Sequence, residues 1–127
     1  MNKAVLDASA ILALIFDEPG AERLTDDVME SAVASTVNRA EVQAKLIQKG
    51  YTPDEAWTDA QELVRAEPYT AEQAKLAGTL IQQTARYGLS LGDRSCLALA
   101  IALGAEVYTT ERVWKNLQVG VPIHVIR

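Results

Sequence analysis

Short segments with strand character alternate with helical segments along the whole chain, and this alternation limits the fold more than any other feature. The strand-like segments are KAVLDA (3–8), SAVAS (31–35), RAEPY (65–69), AEVYTT (105–110) and VPIHVIR (121–127). Alternation of this kind predicts an α/β fold, with a mostly parallel central sheet of about five strands flanked by helices. A chain of 127 residues without a linker or repeat is expected to form a single domain over 1–127.

Capping motifs mark where the helices begin and end. Thr52 and Thr70 each open a capping-box pattern, and Gly50, Gly88 and Gly104 stand where helices are expected to stop. The predicted helices are 9–16, 20–29, 36–49, 53–65, 70–87 and 91–103.

The apolar content of the chain favours a cytoplasmic protein. The longest uninterrupted apolar run, 96–103, is far shorter than the roughly 20 residues of a membrane-spanning helix. Asp7 interrupts the apolar N-terminal stretch, and no small-residue cleavage site follows it, so a signal peptide is the weaker interpretation. Cys96 is the only cysteine and is predicted to be a small buried hydrophobe in a reducing compartment.

Four acidic residues stand at the edges of apolar runs: Asp7, Glu41, Asp93 and Glu111. Carboxylates in such places need a compensating partner. Ligands of an open parallel sheet gather outside the carboxyl ends of its strands, where Asp7 and Glu111 are predicted to lie. Hard oxygen ligands without a nearby His or Cys suit Mg²⁺ or Mn²⁺ better than Zn²⁺.

Three of these acids have an equally good structural interpretation. Asp7 could cap the helix that follows it, and Asp93 stands at capping-box spacing from Ser90. Glu111 would be an ordinary acid in the first turn of a short helical segment.

Glu41 is harder to explain as a structural residue. It shares a helical stripe with Ala40 and Ala44, and this stripe of small residues is predicted to face the sheet. A glutamate in that position needs either a metal ion or an arginine, for which Arg39 and Arg94 are the candidates.

These motifs, in this order, resemble the PIN-domain family, and specifically the VapC-like toxins of bacterial type II toxin-antitoxin modules. VLDASAIL resembles the first acidic motif, NRAEV the second, LSLGDRSCLALA the third, and VYTTERVW the region of the fourth. The resemblance spans the whole chain. It implies that the catalytic, metal-binding cluster is Asp7, Glu41, Asp93 and Glu111, supported by the small polar residues Ser9 and Thr109. Glu111 stands where the family usually has aspartate, so water-mediated or supporting ligation is the expectation for it.

The resemblance also implies an activity and partners. The expected activity is that of an endoribonuclease in which Mg²⁺, or Mn²⁺, activates a water molecule that hydrolyses RNA phosphodiesters. The expected partners are RNA, a cognate antitoxin and a second copy of the chain in a homodimer, without a membrane. Apolar residues such as Leu24, Trp57 and Val64 are expected to contribute to a partner surface.

The net charge of −5 does not exclude a polyanionic substrate, because cations bound at the acidic cluster reverse the local sign. Arg94, Arg112 and Lys115 are candidates for contacts with the RNA backbone, and each is equally well explained as a solvated charge.

Two other functions are compatible with parts of the pattern. A receiver-type or phosphotransfer domain also collects acids and Mg²⁺ at a sheet edge. It would place its acceptor aspartate after a central strand, whereas Glu41 lies inside a predicted helix. A non-catalytic α/β binding module would use the acids only as caps, and Glu41 again argues against it.

Overall fold

The structure is a computed structural model that describes residues 3–127, so the first two residues of the predicted domain lie outside it. Within this range the sheet has five strands, all parallel, in the order β3-β2-β1-β4-β5. The strands are β1 (Ala4–Leu6), β2 (Ala32–Ser35), β3 (Arg65–Glu67), β4 (Glu106–Thr109) and β5 (Ile123–Val125). The predicted α/β fold with a parallel central sheet is therefore confirmed.

Helices connect the strands and cover both faces of the sheet. They are α1 (Ala8–Ile15), α2 (Asp26–Glu30), α3 (Thr36–Gln48), α4 (Pro53–Leu63), α5 (Ala71–Thr79), α6 (Ile81–Thr84) and α7 (Leu91–Leu103). The capping box at Thr52 is present, with its hydroxyl accepting from the Glu55 amide and the Glu55 carboxylate accepting from the Thr52 amide. None of the helices in the described range is long and apolar enough to cross a membrane.

The predicted helix 20–29 is wrong. Gly20 has a left-handed backbone with φ of 98°, and a Cβ there would lie 2.5 Å from the carbonyl oxygen of Ile126. The chain therefore turns against the C-terminal segment and forms a single 3₁₀ turn, Ala21–Arg23. Thr25 then caps the short helix α2.

The predicted helix 70–87 is also wrong as one element, because it breaks at Leu80. At the break the Leu80 carbonyl oxygen accepts from the Gln83 amide at 3.1 Å, the Thr84 amide at 3.1 Å and the Thr84 hydroxyl at 2.8 Å, so the backbone tightens toward 3₁₀ geometry. Leu80 itself is buried, and the chain continues as α6 and a 3₁₀ turn that ends at Gly88. The predicted helix is thereby divided into α5, α6 and the 3₁₀ turn.

Two hydrophobic layers enclose the sheet, because successive strand residues point to opposite faces. Leu6 lies in the layer under α1 and α3, and Val5 lies in the layer under α7. Cys96 is fully buried in the second layer, as predicted, and burial raises the pKa of its thiol well above the ordinary value.

The predicted partner surface is only partly exposed. Leu24 and Val64 are buried in the first layer, so their assignment to that surface is wrong. Trp57 is 37% exposed, with the Arg39 guanidinium 5.1 Å from its ring centroid.

Candidate functional site

A cleft of about 220 Å³ opens at the carboxyl edge of the sheet, and all four acids line it. Asp7 follows β1, Glu41 lies on α3, Asp93 is in the first turn of α7, and Glu111 follows β4. The remaining lining residues are Ala8, Ser9, Leu12 and Lys45. Residues as far apart in sequence as Asp7 and Glu111 therefore meet, because parallel strands end at the same edge.

Asp7 is the most deeply buried of the four acids, with 3% of its surface exposed. Its Oδ1 accepts hydrogen bonds from the Ala10 amide at 2.8 Å and the Ser9 hydroxyl at 2.7 Å. Its Oδ2 accepts from the Thr109 hydroxyl at 2.6 Å. Burial raises the pKa of this carboxyl to about 6, although these hydrogen bonds act in the opposite direction. Asp7 therefore caps α1, and burial disfavours the charged form of its carboxyl group.

Ser9 and Thr109 connect the first helix to the loop after β4. The Ser9 hydroxyl accepts from the Thr110 amide at 3.0 Å, and the Thr109 hydroxyl accepts from the Glu111 amide at 3.0 Å. The backbone of Glu111 is thereby held beside the cleft. Its side chain is exposed and forms no hydrogen bond with the part of the chain that the structure describes.

Asp93 forms the capping box predicted as its structural interpretation. One carboxylate oxygen, Oδ2, accepts from the Ser90 amide at 2.9 Å, and the Ser90 hydroxyl accepts from the Asp93 amide at 3.1 Å. The other oxygen, Oδ1, accepts no hydrogen bond from residues 3–127. Capping and ligand binding are therefore compatible, because each uses a different oxygen.

Glu41 is half-buried, and its surroundings differ from the prediction. Ala40 and Ala44 are exposed, so the stripe of small residues does not face the sheet; the buried face of α3 includes Val42 and Leu46. Burial raises the pKa of the Glu41 carboxyl, with a hydrogen bond from Asn38 acting against it.

Neither candidate arginine pairs with Glu41. The Arg39 Nη2 donates to the Val64 carbonyl oxygen at 2.6 Å, and the Arg94 Nη1 donates to the Ala77 carbonyl oxygen at 2.9 Å. Both guanidiniums are used in helix packing, which removes the simplest structural explanation of Glu41.

Three residues beside Glu41 were not predicted. The Asn38 Nδ2 donates to the Glu41 Oε1 at 2.7 Å and to the Gly92 carbonyl oxygen at 3.1 Å, which ties α3 to α7. Lys45 lines the cleft, and its charge acts against the rise that burial causes in the pKa of Glu41. Asn38 and Lys45 lie three and four residues from Glu41, so helical spacing could have identified them. The closeness of Gly92 has no signal in the sequence.

The donor chemistry of the cleft fits a hard divalent cation. Four carboxylates converge on it, and none forms an ion pair with a lysine or arginine in the described range. A buried carboxylate that forms no ion pair, such as that of Asp7, is stabilised by a bound metal ion. As the side chains stand, no three acidic, histidine or cysteine residues among 3–127 are arranged to hold an ion together.

The predicted RNA contacts lie outside the cleft lining. Arg112 and Lys115 are exposed on the 3₁₀ turn that follows Glu111, and the Arg112 Nε donates to the Arg127 carbonyl oxygen at 3.2 Å. Arg94 is half-buried against α5. Their contacts with RNA remain predictions.

The raised pKa of Asp7 predicts how stability depends on pH in metal-free buffer. Between about pH 4 and 6 the folded state retains a proton that the unfolded state has lost, so the free energy of unfolding should fall as pH rises. The decrease due to Asp7 should reach about 3 kcal/mol and level off above its folded pKa. Urea unfolding of the wild type and Asp7→Asn at each pH measures it, and the difference between the two curves isolates Asp7. Parallel curves for the wild type and Asp7→Asn would contradict the prediction. Glu62→Gln, which replaces an exposed acid, is the control and should follow the wild-type curve.

Solved structures share the fold over nearly the full length. The chain superposes on DNA-bound VapBC from Salmonella typhimurium with a TM-score of 0.76 at 18% identity, covering 98% of each chain. For a toxin-antitoxin complex from Klebsiella pneumoniae the TM-score is 0.77 at 16% identity, again covering 98% of each chain. For the sarcin-ricin loop cleaving toxin VapC20 from Mycobacterium tuberculosis it is 0.74 at 18%, covering 94% of this chain and 100% of that chain. At these identities the likeness establishes the fold.

Sequence comparison identifies the family. No curated protein matches the chain. The PIN domain family profile matches residues 4–119, a range that contains all four acids of the cleft. The chain therefore belongs to the PIN domain family.

Proposed function

We propose that this protein is a cytoplasmic, metal-dependent endoribonuclease and the toxin of a toxin-antitoxin pair. The observation that carries the proposal is that Asp7, Glu41, Asp93 and Glu111 line one cleft and that none of them forms an ion pair in the described range. Membership of the PIN family supports it, because PIN and VapC domains are nucleases.

Asp7, Glu41 and Asp93 are the proposed direct ligands of Mg²⁺ or Mn²⁺. When bound, the ion would lower the pKa of a water molecule and stabilise the leaving oxygen of the phosphodiester. Ser9 and Thr109 orient both oxygens of Asp7, and Asn38 orients Glu41. These hydrogen bonds fix ligand orientation, as outer contacts do in metal sites generally.

Glu111 is proposed as a supporting or water-mediated ligand. Its carboxylate is exposed at the mouth of the cleft, and no hydrogen bond from the described residues orients it. A side chain that is free to move holds an ion less firmly than one whose rotamer is fixed.

RNA is the proposed substrate and an antitoxin the proposed protein partner. VapC20, which shares the fold, is a sarcin-ricin loop cleaving toxin, and the Klebsiella pneumoniae structure is a toxin-antitoxin complex. A homodimer is proposed as well. Exposed apolar side chains on and beside α3 and α4, Ile47, Trp57 and Leu63, supply a surface that a partner would cover.

The proposal predicts that cleavage of RNA depends on a divalent ion. Purified protein should cleave single-stranded or loop-containing RNA with Mg²⁺ or Mn²⁺ and lose this activity in EDTA, with recovery when excess ion is restored. Gel analysis of end-labelled RNA is the measurement. Glu62→Gln, an exposed acid on α4, should behave like the wild type. Cleavage that persists in the chelator would overturn the proposal, as would equal activity in an Asp7→Asn preparation, which would indicate a contaminant.

A further inference from the structure

A second cavity of about 220 Å³ continues the acidic cleft outward between α1 and α3. The two cavities share Ser9, Leu12, Lys45 and Glu111, so they form one continuous depression. We call the second cavity the outer trench; it is bounded by Phe16, Lys45, Lys49 and Arg127. An extended molecule bound at the four acids would therefore continue into the outer trench along the protein surface.

The charge of the side chains on the α3 wall changes from negative to positive along the helix. Glu41, Lys45 and Lys49 are spaced four residues apart, so they follow one another on the same face at intervals of about 6 Å. Glu41 lines the cleft, Lys45 lines both cavities, and Lys49 lines only the outer trench. Both lysines are exposed, and neither forms an ion pair with residues 3–127.

The α1 wall ends in an exposed aromatic ring. Phe16 caps the C-terminus of α1, is 36% exposed, and has the Lys49 Nζ 5.5 Å from its ring centroid. At the far end, the Arg127 Nη1 lies 3.3 Å from the Glu18 carboxylate. Since Glu18 is paired in this way, the charges lining the outer trench that form no ion pair within residues 3–127 are those of Lys45, Lys49 and Glu111, and the two lysines outweigh the single carboxylate.

We infer that the outer trench binds a single-stranded RNA segment next to the phosphodiester held in the acidic cleft. Lys45 and Lys49 contact backbone phosphates, and Phe16 stacks on an unpaired base. Exposed cations beside an aromatic ring are the combination that single-stranded nucleic acids bind, and stacking requires a base free of its partner strand. When RNA binds, the Lys49 ammonium group exchanges its weak, exposed contact with the Phe16 ring for a contact with a backbone phosphate. This inference rests on the proposed function, since it takes RNA as the substrate.

Binding of a short, end-labelled single-stranded RNA of mixed sequence, followed by fluorescence polarisation in EDTA, tests the outer trench apart from catalysis. Lys45→Gln and Lys49→Gln should each weaken binding and reduce the slope of log K against log salt by about 0.7, the value for one phosphate contact on a single strand. Phe16→Ala should weaken binding roughly 5- to 150-fold without changing that slope. Lys75→Gln on α5 and Leu103→Ala at the end of α7 are exposed controls that should match the wild type.

The outcomes separate this inference from the proposed function. If the lysine variants match Lys75→Gln in affinity and slope, the inference that the outer trench binds RNA is overturned, even if the protein cleaves RNA. That result would point to a protein segment as the occupant of the trench. Absence of RNA binding by the wild type would overturn it too. If the lysine variants behave as expected but the protein does not cleave RNA with Mg²⁺, RNA binding in the outer trench is supported and the nuclease proposal fails. Thermal unfolding of each variant confirms that it is folded.

Discussion

RNA cleavage by the Asp7→Asn variant should fall roughly a thousandfold or more below that of the wild type. A metal ion supplies several kcal/mol of transition-state stabilisation, and each 1.36 kcal/mol corresponds to a factor of ten in rate. Asparagine retains the shape of the side chain and the acceptor for the Ala10 amide, but it removes the charge that attracts the ion. Initial rates on one RNA, with Mg²⁺ in excess, measure the loss.

The fold of this variant should be intact and, near neutral pH without metal, more stable than that of the wild type. Removal of a buried charge relieves the unfavourable desolvation that raises the pKa of Asp7. Glu111→Gln should lose less activity than Asp7→Asn, because Glu111 is exposed and its side chain is not held by described residues. If Asp7→Asn unfolded instead, Asp7 would be a structural cap and its proposed ligand role would fail.

Replacement of Gly92 by alanine should lower the cleavage rate by about ten- to a hundredfold while leaving the protein folded. An added Cβ would lie 2.5 Å from both carboxylate oxygens of Glu41, so this carboxylate, which accepts a hydrogen bond from Asn38, must shift from its position. A long side chain moves at little cost, and alanine in a helix is favoured over glycine by roughly 0.5–1 kcal/mol. The free energy of unfolding should therefore stay within about 1 kcal/mol of the wild-type value.

Gly78→Ala is the matched control for this prediction. Gly78 also lies in a helix, α5, and a Cβ there would meet nothing within 4 Å. Gly78→Ala should gain the helical stability without loss of cleavage. Equal activity of the two alanine variants would show that the position of Glu41 beside Gly92 does not matter for catalysis. Urea unfolding and RNA cleavage on the same preparations supply both measurements.

The parts of this protein that could be predicted depend on local sequence patterns. The strand that ends at Asp7 and the capping box at Ser90 are encoded by residues within a few positions of each other, so both were predicted and both are present. The order of strands and helices then requires a parallel sheet whose strands end at one edge. Asp7 and Glu111 could be proposed together for this reason, since each follows a strand, whereas Glu41 and Asp93 were assigned to the same cluster through the resemblance to the PIN-domain family.

What the sequence could not determine depends on contacts between segments that are distant along the chain. The helix predicted through Leu80 breaks at that buried residue, and the turn at Gly20 lies against the Ile126 carbonyl group of the C-terminal segment. The hydrogen bonds of Asn38 to both Glu41 and Gly92 join two helices. Local propensity and spacing therefore determined the α/β fold and the acidic edge, whereas tertiary packing decided the surroundings of each carboxylate, because burial and hydrogen-bond partners exist only once the helices have packed.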